Sequence, residues 1–173
     1  MDLKSTIRSI PNWPQEKIIF RDITTLLQNG KAFKEACDLL YEHYKNLKID
    51  KVAGIDARGF LFAAVLAYKL GLGIVPVRKK GKLPYKTISE KYLLEYGENE
   101  IEIHEDSISK GEKILIVDDL LATGGTVSAA VNLVERLGGE VVECAFVIEL
   151  PDLKGRHLLK NYNVFSLISF EGE

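Results

Sequence analysis

The sequence predicts an α/β fold, a doubly wound, mostly parallel sheet flanked by helices. Three observations carry that prediction. Short apolar runs of strand length recur at residues 52–56, 74–77, 114–117, 141–148 and 164–168. Segments with helical spacing of apolar residues lie between several of them, and strands apolar on both faces need cover on both sides of the sheet. Glycines stand where two of those helices should close, at Gly71 and at Gly138-Gly139.

Taken in order, the chain opens with a short amphipathic stretch bearing Leu3, Ile7 and Ile10, which ends at Pro11 and Pro14. A helix is expected over 31–47, because Phe33, Ala36, Leu40, Tyr44 and Leu47 fall on one face. The strand at 52–56 leads to a helix over 59–70, and the strand at 74–77 follows. Residues 79–90 are polar and contain Gly81 and Pro84, a stretch too long for a plain connection and of the kind that often forms lids. Residues 92–96 and 101–104 predict a β-hairpin turned at Gly97-Glu98-Asn99. The strongest strand, 114–117, precedes a helix over about 126–137, and the strands at 141–148 and 164–168 complete the sheet. With no repeat, low-complexity tract or linker, residues 1–173 read as one domain.

Composition narrows the function classes. Apolar residues make up 46% and charged residues 28%, the balance of an ordinary globular protein, and the net charge of −2 lacks the cationic excess of a nonspecific nucleic-acid binder. Cys37 and Cys144 each sit among apolar neighbours and read as buried thiols without metal-site spacing. The N-terminal MDLKSTIRSI has no apolar leader core and no run approaches spanning length, so no membrane partner and a cytoplasmic location are expected.

Chemistry concentrates at residues 114–126, ILIVDDLLATGGT. A buried strand runs into Asp118 and Asp119, then into a glycine-rich turn that opens a helix. Ligands in open α/β sheets sit at the carboxyl ends of strands, where this turn lies. Gly124 and Gly125 let backbone N–H groups converge, Thr123 and Thr126 add hydroxyls, and the helix N-terminus supplies partial positive charge. The segment lacks the Gly-Lys-Ser/Thr ending of a nucleotide-hydrolase loop and the three-glycine pattern of a dinucleotide fold. Two carboxylates beside a phosphate cradle would repel the phosphate unless they face something else, and ribose hydroxyls, which donate to carboxylates, fit. A helix cap with surface aspartates is the plainer alternative.

The run VDDLLATGGT resembles the phosphoribosyl pyrophosphate motif of type I phosphoribosyltransferases. IIFRDIT at 18–24, GIDARGFLF at 54–62, VRKKGKLP at 77–84 and LEYG at 94–97 extend the likeness, in the same order, to the adenine phosphoribosyltransferases over nearly the whole chain. The resemblance implies the type I fold with a small N-terminal hood and a β-hairpin lid. It implies transfer of a phosphoribosyl group from phosphoribosyl pyrophosphate to adenine, giving AMP and pyrophosphate, with Mg²⁺ on the phosphates and no protein ligand to the metal assigned. A homodimer is implied too.

Residue by residue, the resemblance assigns the 5′-phosphate to Ala122, Thr123, Gly124, Gly125 and Thr126, and the ribose to Asp118 and Asp119. Carboxylates there would stabilise the positive charge that develops on the sugar as pyrophosphate leaves. Asp56, Ala57 and Arg58 match the pyrophosphate loop, in which family members carry a non-proline cis peptide; the planar fork of Arg58 suits paired phosphate oxygens. Arg78, Lys79 and Lys82, with Lys80, match the start of a mobile loop that closes over the substrates and excludes water, and the resemblance places Tyr96 in the same pyrophosphate and lid set. Arg78's counterpart lies near the dimer interface. Ile19, Phe20 and Arg21 match the adenine-facing segment, Phe20 for stacking and the backbone on either side for the Watson–Crick edge. Glu95, beside Tyr96, matches a glutamate that manages the proton on the purine imidazole.

The sequence departs from the family where Ile10-Pro11-Asn12-Trp13-Pro14 replaces the usual aspartate and phenylalanine, where Ala63 replaces a common glycine, and in the lid around Pro84–Thr87 and Glu90-Lys91-Tyr92, where the family often places serine before the tyrosine matching Tyr92. His43, His104 and His157 match no motif. Two other readings remain open at this level. One is a relative that uses xanthine or hypoxanthine. The other is a regulator that senses phosphoribosyl pyrophosphate, which would need an added nucleic-acid-binding element.

Overall fold

The computed structural model describes residues 1–94 and 97–172. Among these described residues, nine strands and four α-helices follow one another, with short 3₁₀ turns at Leu3–Thr6, Pro151–Leu153 and Gly155–Leu159. The strands are β1 (Arg8–Pro11), β2 (Ile19–Asp22), β3 (Lys51–Ile55), β4 (Gly73–Lys79), β5 (Thr87–Leu94), β6 (Gly97–His104), β7 (Lys113–Leu121), β8 (Glu140–Glu149) and β9 (Val164–Ser169). The helices are α1 (Thr24–Gln28), α2 (Gly30–Tyr44), α3 (Arg58–Leu70) and α4 (Gly125–Arg136).

Seven strands form the main sheet in the order β5-β6-β4-β3-β7-β8-β9, parallel from β4 through β9 and antiparallel where β6 and β5 join. Alternation along the strands explains the two layers. On β7, Leu115 and Val117 point into a core with α1, α2 and α3, while Ile114 and Ile116 point into a second core with α4 and the hairpin residues Ile101 and Ile103. The central stretches of β3, β7 and β8 therefore read as apolar runs.

Helix ends follow local chemistry. The Asn29 side chain caps α2 by accepting from the N–H groups of Lys31 and Ala32 at 3.1 Å. Gly71, at φ +70°, closes α3 in the left-handed conformation. α3 lies close on β3 because Gly54 has no side chain: a Cβ there would stand 2.7 Å from Cβ of Ala63. Ala63, a departure from the family pattern, is thus accommodated by the glycine opposite it.

Several expected boundaries move. Leu47 lies beyond α2 and is exposed, and Asp56 lies just past β3. The amphipathic start is a 3₁₀ turn followed by β1, which pairs antiparallel with β2 as a separate two-stranded sheet. α1 is a short helix that the apolar spacing of the sequence does not predict. The largest correction is the hairpin. Gly97, Glu98 and Asn99 are not its turn but the start of β6, paired with Leu94, Leu93 and Tyr92. The polar stretch at 79–90 likewise shrinks, because β4 extends to Lys79 and β5 begins at Thr87.

Candidate active site

At the carboxyl ends of β3 and β7 the chain leaves a cleft of about 400 Å³, a size suited to a nucleotide-scale ligand. Its wall is made by Ile55, Asp56, Ala57 and Arg58 on one side, by residues 118–127 on the other, and by Lys79, Tyr92 and Asn99 above. The segment at 56–58 and the glycine-rich turn at 122–126, far apart in sequence, therefore face one space.

Both loops end in helix N-termini whose backbone donors are left open. α4 starts after Gly124, at φ +88°, and α3 starts after Ala57; among the described residues no side chain caps either helix. The first N–H groups of a helix lack intrahelical acceptors and carry the positive end of its dipole, so each end can hold an anion. α2, away from the cleft, has its side-chain cap. The Asp56-Ala57 peptide is cis, as the resemblance implies.

The two aspartates form the floor between these ends. β7 runs on through both of them, so the pleat turns the neighbouring side chains differently. Asp119, buried, accepts from Arg58 Nε at 2.6 Å. Asp118 Oδ1 accepts from the Asp119 N–H at 2.8 Å. Solvent reaches part of Asp118 through the cleft, yet its carboxyl is pushed well above the usual range, first by desolvation and then by the neighbouring Asp119 charge. Burial works against the Arg58 charge, and the Asp119 and Asp118 carboxylates outweigh it, holding the guanidinium above its usual range. Gly59 permits this geometry: a Cβ there would come within 2.8 Å of Asp118 Oδ1 and 3.0 Å of the β7 backbone.

The basic segment is less uniform than its sequence suggests. Lys79 lines the cleft. Arg78 Nε donates to Asp56 at 3.3 Å and its Nη1 to the Lys82 carbonyl at 3.4 Å, while Lys80 pairs with Glu100 at 2.9 Å. Buried Glu102 ties down the root of this segment, accepting from the N–H groups of Gly81 and Leu83 at 3.1 and 3.0 Å.

Ile19, Phe20 and Arg21 all belong to β2 in the hood and are partly buried, outside the wall of the cleft described above. Phe20 packs edge-on against Trp13, with ring centroids 4.6 Å apart. The Arg21 guanidinium lies 4.3 Å from the Phe170 ring centroid and donates to Ser9 Oγ at 2.6 Å. Glu95 and Tyr96 lie outside the described residues. Two further wall residues are Tyr92, which matches the lid tyrosine, and Asn99, which the sequence places only in a turn. They are direct cross-strand partners, a relation hidden by placing the turn at Asn99. His43 stacks on Phe165 at 3.7 Å, away from the cleft wall.

Among the described residues no group of three or more His, Cys, Asp or Glu side chains gathers as a metal cage. Among the described residues the carboxylates lining the cleft are Asp56, Asp118 and Asp119, hard oxygen donors of the kind magnesium takes.

The comparisons with known proteins agree with this geometry. The phosphoribosyl transferase domain family matches residues 22–173. A curated adenine phosphoribosyltransferase of Desulfosudis oleivorans is 65% identical over 173 residues, the whole of both chains. The crystal structure of the adenine phosphoribosyltransferase of Thermoanaerobacter pseudethanolicus superposes with a TM-score of 0.94 at 50% identity, covering 98% of each chain. That of the Saccharomyces cerevisiae enzyme, complexed with an imino-altritol bisphosphate and adenine, superposes with a TM-score of 0.90 at 43% identity, covering 96% of each chain. With two open helix ends facing one cleft across a pair of aspartates, and with likeness along the full length, the chain belongs to the adenine phosphoribosyltransferases of the phosphoribosyl transferase family.

Proposed function

We propose that the protein transfers the 5-phosphoribosyl group from phosphoribosyl pyrophosphate to adenine, giving AMP and pyrophosphate, a step of purine salvage. One observation carries the reading: two helix N-termini without side-chain caps open on one cleft, with adjacent carboxylates between them. That is two anion sites flanking a site for hydroxyl donors, the layout of a sugar phosphorylated at both ends.

In this reading the N–H groups and hydroxyls of Thr123, Gly124, Gly125 and Thr126 hold the 5′-phosphate. Ala57, Arg58 and Lys79 hold the pyrophosphate. Arg58 and Asp119 occupy each other in the free protein, so handing Arg58 to the pyrophosphate releases Asp119 to accept from the ribose hydroxyls. As the bond from C1′ to pyrophosphate breaks, the leaving oxygen takes the electron pair and positive charge builds on the sugar, beside Asp118 and Asp119. A purine nitrogen forms the new bond to C1′ and loses its proton, the step assigned to Glu95. The aspartates of the floor fit a magnesium ion carried in on the substrate's own oxygens, which would neutralise pyrophosphate charge.

Adenine is the base because the relatives named above are adenine phosphoribosyltransferases and because IIFRDIT matches their adenine-facing segment. A homodimer is supported by an exposed apolar stripe on α3, where Leu61 and Tyr68 are 45% and 87% exposed. Tyr68→Glu should then shift the protein from dimer to monomer in light scattering. The cytoplasm suits a salvage enzyme with free, buried thiols at Cys37 and Cys144. The test of function is a base panel with Mg²⁺ and phosphoribosyl pyrophosphate. Adenine should be converted to AMP, and turnover of hypoxanthine or xanthine without adenine would overturn the reading.

A further inference from the structure

Behind the phosphate loop, on the side away from the cleft, the chain turns back through residues 150–159. At Gly155 this turn comes close to the backbone of Ala122 and Gly124 and to the Leu121 side chain. A Cβ on Gly155 would stand 2.5 Å from the Ala122 carbonyl oxygen and 2.8 Å from Cδ1 of Leu121, and one on Gly124 would stand 2.6 Å from the Gly155 carbonyl oxygen. Two glycines therefore meet face to face, one in the phosphate loop and one in the turn. The turn is itself fastened at both ends. Leu150 N–H donates to the Leu121 carbonyl at 3.0 Å. Arg156, next to Gly155, grips buried Glu149 with both arms of its fork, Nε to Oε1 at 2.6 Å and Nη2 to Oε2 at 2.9 Å. Ser166 Oγ on β9 donates to Glu149 Oε2 at 2.7 Å, and Arg156 Nη1 donates to the Val164 carbonyl at 3.4 Å.

We propose that Glu149 and Arg156 are positioning residues for substrate phosphate: their ion pair presses the Gly155 backbone against Ala122 and Gly124 and so sets the N–H groups of the phosphate loop. The proposal rests on the reading of residues 122–126 as the 5′-phosphate site. The physical need is plain. A loop with Gly124 and Gly125 in succession has little stiffness of its own, whereas an anion cradle works only when several N–H groups point at one place within a fraction of an ångström. A bidentate pair between a guanidinium and a buried carboxylate is stiff and directional. It spans β8, β9 and the turn, so it ties the loop to the two strands beyond β7. Lysine at position 156 would keep the charge and lose the fork.

The test separates phosphate recognition from general damage. Arg156→Ala, Arg156→Lys, Glu149→Gln and Gly155→Ala are compared with the parent protein in steady-state kinetics and in calorimetric titration with ribose 5-phosphate. Arg156→Ala and Glu149→Gln should raise KM for phosphoribosyl pyrophosphate, and weaken ribose 5-phosphate, by about tenfold or more, while KM for adenine stays within about twofold. Arg156→Lys should fall between parent and Arg156→Ala. Should Arg156→Ala fail to fold, Arg156→Lys and Gly155→Ala carry the test. A purely structural role would lower the melting temperature and the active fraction and leave both KM values alone, and that result overturns the proposal. Thr123→Val and Thr126→Val serve as controls. If they weaken ribose 5-phosphate and the Glu149 and Arg156 variants do not, the brace is wrong. If they leave it unchanged, the phosphate-loop reading itself falls.

Discussion

Gly59→Ala is the most discriminating single perturbation of the cleft floor. Gly59 is the second residue of α3, where it passes over β7, and its added Cβ would meet Asp118 Oδ1 at 2.8 Å and Asp118 Cα and the Val117 carbonyl at 3.0 Å. Two of those atoms are strand backbone in the middle of the sheet and cannot swing aside. Overpacking of this kind costs about 1–3 kcal/mol, offset by up to about 1 kcal/mol from the better helix propensity of alanine. A net loss of about 1–2 kcal/mol corresponds to a melting temperature lower by roughly 2–8 °C for a chain of this size. The same displacement moves Arg58 and Asp118 relative to each other, so turnover should fall by about tenfold or more. Gly30→Ala is the matched control. It lies in the first turn of α2 with nothing within 4 Å of an added Cβ, and should leave activity unchanged while gaining about 0.4–1 kcal/mol. Differential scanning calorimetry and an adenine-consumption assay on both variants decide the matter. Parental stability and turnover in Gly59→Ala would refute the argument that close approach of α3 sets the floor.

Three further outcomes are expected. Because the Asp118 carboxyl is raised by desolvation and by Asp119, its ionisation costs stability as pH rises from the unfolded value toward the folded one; Asp118→Asn should therefore melt at or above the parent temperature at neutral pH and yet turn over more slowly, and a fast or unstable variant would contradict this. Asp22 is held at about 2, from 3.8, chiefly by the Thr24 hydroxyl and N–H and then by Arg8. Its contribution is complete above about pH 4 and lost as pH falls through about 2, so Asp22→Asn should cost about 1–2 kcal/mol at neutral pH and flatten the acid limb of a melting-temperature curve against pH. Glu95→Gln should depress turnover by about 10²–10⁴-fold with little change in ribose 5-phosphate or adenine binding; unchanged turnover would remove it from proton transfer.

Much of the sheet was legible because buried parallel strands carry apolar residues on both faces. Val52, Ile114 to Val117 and Ala145 to Ile148 are nearly or fully buried, and no polar alternation obscures them. The hairpin was misplaced for the opposite reason. β5 and β6 are partly exposed, so polar residues run through them, and the Gly97-Glu98-Asn99 segment has turn chemistry although it pairs as strand. The short hood strands β1 and β2, with Pro11 at an edge, offered too few residues for a period to show.

The sequence by itself determined the order of the parallel strands' elements, the glycine-rich turn at 122–126 and the acidic pair before it, because glycines, hydroxyls and apolar runs act through neighbours along the chain. Only the tertiary structure decided what those groups face. Arg58 and Asp119 are 61 residues apart and meet at 2.6 Å, and Gly155, in no motif, lies against Leu121, Ala122 and Gly124. Of the four cations at 78–82, Lys79 alone lines the cleft, while Arg78 and Lys80 pair with Asp56 and Glu100. Contacts of that range depend on the stacking of sheet and helices, and no local spacing encodes them.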